Sequence, residues 1–258
     1  MNIDASIIKD YLNDGILYEK HWLFNSILGD NQYLFDKPSH DLKESISSTM
    51  KKVIDILKSF IPYNVILFSK LFPNWKELSK NVNVILAVGC PKPYDAMIRE
   101  YNEKDYIILD LVRLLDYHED ISEVIKKFFT HELIHVCIKA DYPFDIKNES
   151  NYKKILEYLV FDEGFAHLLS FKENICEFDF NELIKTHYNK SVKRLKIALT
   201  EEELTKQIDY LNKANSGSYW NKFAAIVGKL YLANNLNDLS SIYKAGPRKM
   251  LENIILEE

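Results

Sequence analysis

The chain has 258 residues, 47% of them hydrophobic and 28% charged, with a formal net charge of −5. That is enough chain, of ordinary composition for a soluble protein, to build a sizeable core in one large domain or two intimate lobes. The mild negative charge gives no electrostatic reason to expect nucleic acid or an acidic membrane as a partner, and no apolar stretch approaches the roughly 20 residues of a membrane span.

In chain order, the N-terminus (Met1 to Asp10) carries acidic residues and no continuous apolar core, which reads against a secretory signal. Residues 1 to about 60 read as mostly helical. The clearest piece is 39–58, with apolar residues at helical spacing, a Ser/Asp start and an end before Pro62. Residues 82–89 and 106–112 are β-branched and strand-like, joined through the breaker-rich Cys90-Pro91-Lys92-Pro93. From 120 onward the pattern is helical, over 120–140, 152–172, about 179–197, 201–213, 219–235 and a last stretch near 247–256. Ser216-Gly217-Ser218 forms a break. The expected class is α+β, mostly α-helical. A helical region, 1–80, precedes a region 81–258 that holds the small sheet (82–112) and the later helices, or the whole chain forms one compact domain. Cys90, Cys137 and Cys176 are odd in number and lack metal-type spacing, so they read as free buried thiols of a cytoplasmic protein.

The segment His131-Glu132-Leu133-Ile134-His135 lies inside an apolar run long enough to be a helix. On a helix, residues four apart share a face, so both imidazoles can reach one metal ion. Glu132 then projects beside that ion, where it can take a proton from a bound water. Cys137, two residues past His135, turns away from the ligand face and reads as core.

Catalytic zinc takes three protein ligands and keeps one open position. Asp141, six residues after His135, is one candidate for the third, but a turn back under the metal needs a glycine where this chain has Ile138. Asp141-Tyr142-Pro143 reads better as a helix end. The other candidate is Glu163, in the apolar run 159–170, where a charge is costly unless paired or bound to a cation.

Here the sequence resembles the gluzincin peptidases. These follow H-E-x-x-H with a second helix bearing the third ligand in a D-E-G-x-A pattern, matched by Asp162-Glu163-Gly164-Phe165-Ala166. The His135 to Glu163 spacing is longer than in aminopeptidases. It is more similar to bacterial families of predicted zinc-dependent proteases that combine the two motifs. The resemblance spans about 80–235 and rests on residues 131–135 and 162–166. It implies a zincin-like fold, with a small sheet before the metal helix and an edge strand that pairs with extended substrate. It implies one Zn²⁺ held by His131, His135 and Glu163, with Glu132 as general base. Gly164 and Ala166 would let the two ligand helices approach closely.

The chain departs from the family four residues past Glu163, where an acidic residue is common and His167 stands instead. His167 donates to Glu163, contacts substrate, or only packs. Asp162 supports a ligand or points to solvent. Tyr219, in the run 219–230 read as helix, is the candidate to steady an oxyanion with or without His167, among sixteen tyrosines most of which must be core or surface aromatics. The expected function is a zinc-dependent peptidase acting on peptide or protein substrates. The alternatives are a zinc-dependent amidase or deformylase-like hydrolase of a small substrate, and a non-catalytic metal-binding regulator.

Overall fold

A computed structural model describes residues 1–28, 31–146 and 148–256. The chain opens with strand β1 (Asn2–Asp4) and helices α1 (Ser6–Leu12), α2 (Lys43–Lys58), α3 (Val65–Leu71) and α4 (Trp75–Asn81). Strands β2 (Asn83–Ala87), β3 (Ala96–Tyr101) and β4 (Lys104–Asp110) follow, then helices α5 (Leu111–Leu115), α6 (Ile121–Asp141) and α7 (Tyr152–Leu169). The remainder is α8 (Asn181–Leu183), α9 (Asn189–Thr200), α10 (Leu204–Asn215), α11 (Phe223–Asn234) and α12 (Leu239–Leu256). The class is α+β, mostly helical, with one small sheet. Two units emerge: Met1–Pro62 with Asn74–Glu132, and Tyr63–Pro73 with Leu133–Glu258. The division falls inside α6.

In the first unit the sheet order is β1-β2-β4-β3. β2 runs parallel to both β1 and β4, and β3 is antiparallel to β4. Val84 to Ala87 are all buried, as the uninterrupted apolar run of a central strand requires. β3 was not expected from the sequence. It is an edge strand whose Arg99, Glu100 and Tyr101 break the apolar pattern. It joins β4 through Asn102 and Glu103, both at positive φ (50° and 59°), a tight two-residue hairpin without the usual glycine. The strand expected over 106–112 stops at Asp110, whose side chain accepts from the amides of Val112 and Arg113 and so starts α5. The expected helical start holds α1 to α4, with two departures. Among the described residues of 13–39 only short 3₁₀ turns form, at Leu17–Lys20 and Trp22–Asn25, and residues 2–4 pair with β2.

In the second unit α7 and α11 are almost wholly buried and cross at two glycines. A Cβ on Gly164 would lie 2.8 Å from Gly228 Cα, and one on Gly228 2.0 Å from Val160 O. Neither position has room for a side chain. The helix expected over 179–197 is α8 and α9 joined by a π turn, Ile184–Tyr188. α12 begins earlier than expected and is interrupted at Gly246 (φ 81°), immediately before Pro247. Among the described residues no helix is long and apolar enough to cross a membrane. Cys90 and Cys137 are buried as expected. Cys176 is exposed, because it sits in a 3₁₀ turn after α7 rather than on a packed face.

Candidate metal centre

Helix α6 starts where the Asp120 carboxylate accepts from Ser122 N at 2.9 Å. From there its regular turns bring His131 and His135 to one face. Leu133 and Ile134, between them in sequence, are fully buried. One ligand atom from each of His131, His135 and Glu163 lies within 4.8 Å of the others, so this group could hold a metal ion. A tetrahedral zinc with bonds of about 2.0–2.2 Å spaces its ligand atoms about 3.4 Å apart, so movements of about an ångström would seat all three.

Asp162 faces the site: its Oδ2 lies 2.8 Å from His135 Nδ1. With Asp162 ionised, Nδ1 carries the proton and Nε2 presents its lone pair, the arrangement that orients a metal-binding imidazole. Among the described residues, Asp162 Oδ1 is buried without a hydrogen-bond partner. Glu163 Oε1 accepts from Asn215 Nδ2 at 3.1 Å, and its Oε2 lies 3.4 Å from His167 Nε2. Burial pushes the Glu163 carboxyl above its ordinary range, partly offset by His135. A bound cation reverses that desolvation cost, so the donor set fits a divalent ion with nitrogen and oxygen preference.

Glu132 is buried at 8% exposure. Burial pushes the Arg99 guanidinium of β3 down, while the charges of Tyr94 and Glu132 push it back up, which places Glu132 within electrostatic reach of that arginine. Arg99 Nη1 donates to Ile98 O at 2.6 Å and Nη2 to Ile27 O, and among the described residues its Nε is buried without a partner. Asp141, the other third-ligand candidate, ends α6 and accepts from the Tyr243 hydroxyl at 2.8 Å.

His167 and Tyr219 come together, with ring centroids 5.3 Å apart and nearly perpendicular planes. Tyr219 does not open a helix as expected. It lies in a 3₁₀ turn, Tyr219–Asn221, and α11 begins only at Phe223. The role expected for Gly164 is corrected too: its bare Cα meets Gly228 of α11 rather than making room toward α6.

The sequence reading missed two residues at this site. Asn215 closes α10 and holds Glu163. Lys229 lies on α11, where its Nζ donates to Tyr219 Oη at 2.8 Å. Lys229 carried the signal that had marked Glu163, a single charge in an apolar run, Phe223 to Ala233. Comparison of the chain with protein-family models, curated proteins and solved structures finds no match.

Proposed function

We propose that the chain is a zinc-dependent peptidase of gluzincin type with a zincin-like catalytic region. The observation that carries the reading is the convergence of His131, His135 and Glu163, with Glu132 between the two histidines on one helix. These three residues would hold one Zn²⁺. When bound, the ion supplies a Lewis acid and lowers the pKa of a coordinated water toward about 7.

The chain's own groups do the rest. Glu132 accepts the proton of the attacking water and delivers it to the leaving amine. Asp162 fixes the His135 ring through the 2.8 Å contact at Nδ1. Asn215 and His167 hold the two oxygens of Glu163. Tyr219, with His167 beside it, gives a hydrogen bond to the carbonyl oxygen as negative charge develops there. The peptide preference rests on β3, the edge strand beside β4 in the order β1-β2-β4-β3, where an extended chain could add. The buried thiols of Cys90 and Cys137 fit a reducing, cytoplasmic compartment.

Zinc-loaded protein is incubated with fluorescein-labelled casein and, separately, with an N-formyl dipeptide and simple anilides. The proposal expects cleavage of casein that stops on chelation and returns with zinc. Cleavage confined to the formyl group or the small amides would replace the peptidase by an amidase of the same chemistry. No zinc-dependent cleavage of any of them would overturn the hydrolase.

A further inference from the structure

Lys229 is 0% exposed, at the point where α11 crosses α7. The crossing brings its backbone within 3.3 Å of the position a Cβ would take on Gly164, the neighbour of Glu163. A buried ammonium is costly unless it is hydrogen-bonded or faces π-electrons. Its Nζ lies 3.2 Å from the centroid of the Phe171 ring, and 5.2 and 5.5 Å from those of Tyr219 and Trp220. Trp220 is in turn stacked on His187 of the π turn, at 3.9 Å and 4°. These rings form a box around one cation, with the Tyr219 hydroxyl 2.8 Å from Nζ.

An ammonium has three donors and no acceptor, so in this bond the phenol oxygen accepts. The phenol's own proton is left over. Among the described residues Tyr219 Oη has no hydrogen-bond partner besides Lys229. Meanwhile the Tyr219 ring packs on His167, whose Nε2 is 3.4 Å from Glu163.

We propose that Lys229 is a positioning residue: by donating to Tyr219 Oη it commits the phenol to act as a donor, toward an anionic oxygen held beside Glu163. The inference rests on the metal-site reading above and adds the residue that orients its oxyanion donor. Lys229 itself, sealed among the rings, touches no substrate.

The test needs no turnover. Cobalt(II)-loaded protein is titrated with acetohydroxamate, an anionic oxygen ligand for such ions, and the cobalt absorption bands are followed. Lys229→Met and Tyr219→Phe should each weaken binding about tenfold, the size of one hydrogen bond to a charged oxygen. The double variant should be no weaker than either. A structural role for Lys229 would leave affinity unchanged in the folded variant, or would add to the Tyr219→Phe effect, and either result overturns the proposal. If Lys229→Met does not fold, Tyr219→Phe decides alone: unchanged affinity removes the donor and with it the proposal. Failure of the wild type to take up cobalt overturns the metal reading itself. Uptake with a failed cycle overturns only the role of Lys229.

Discussion

Among the described residues, the buried carboxylate at Asp110 and those at Asp162 and Glu163 are finished differently. Asp110 is 0% exposed and both its oxygens are engaged: Oδ2 accepts from Cys90 N at 2.7 Å, and Oδ1 from Val112 N and Arg113 N at 2.9 and 3.0 Å. Burial still pushes its carboxyl up to about 6. Asp162 has one buried oxygen with no partner, and Glu163 is held by an amide and an imidazole. The first set is closed by backbone donors and ties a strand end to a helix start. The second set lies beside two histidines instead. A buried carboxylate closed by backbone donors belongs to stability, whereas a carboxylate grouped with imidazoles could hold a cation.

The sharpest break in this comparison is at Glu132. Glu132→Gln should keep bound metal and lower hydrolysis by about 10²–10⁴-fold, the range for losing a general base. Steady-state rates beside metal analysis would show it, and full activity would remove Glu132 from the chemistry.

Asp110 supplies the next effect, in stability alone. Its folded value of about 6 lies above an unfolded value of 3.8. Between those values the folded state holds the proton and the unfolded state does not, so this group favours folding as pH falls. Its contribution is absent above about pH 7 and complete only below the unfolded value, near pH 3, worth at most about 3 kcal/mol. Urea midpoints at pH 7 and 4.5 should show wild type gaining on Asp110→Asn as pH drops, with metal affinity equal in both. A parallel pH response in the two proteins would contradict it.

Asp162→Asn should do the opposite. Stability should change little, while zinc affinity falls about 10–100-fold because the His135 ring loses its fixed orientation. Competition with a chromophoric chelator measures this, and undiminished affinity would detach Asp162 from the site. The smallest effect concerns the scaffold: Gly164→Ala forces a methyl to within 2.8 Å of Gly228 Cα and should cost about 1–3 kcal/mol. A thermal melt equal to wild type would mean that α7 and α11 separate without penalty.

Local spacing made the metal helix legible, because two histidines four apart share a face on any regular helix, whatever surrounds it. Glu163 was legible for a second reason, a charge inside an apolar run. That same signal stood at Lys229 and was passed over, since a box of rings drawn from positions 171, 219 and 220 has no sequence spacing to announce it. Asn215 gave no signal, because a polar residue closing a helix before Ser216-Gly217 reads as an ordinary end until tertiary packing aims it at Glu163. β3 was hidden for a local reason: Asn102-Glu103 makes a hairpin turn without glycine, and this edge strand carries Arg99 and Glu100, which dilute its pattern. The π turn at 184–188 was equally invisible, since a single widened turn has no marker residue in the sequence.

The central claim is that Glu163 completes a metal site with His131 and His135. Its most direct test is the zinc content of dialysed wild-type protein beside that of Glu163→Ala, both shown to be folded. The account predicts one zinc per chain in the wild type and its loss in the variant. Equal zinc in both proteins, or none in either after zinc is supplied, would contradict it.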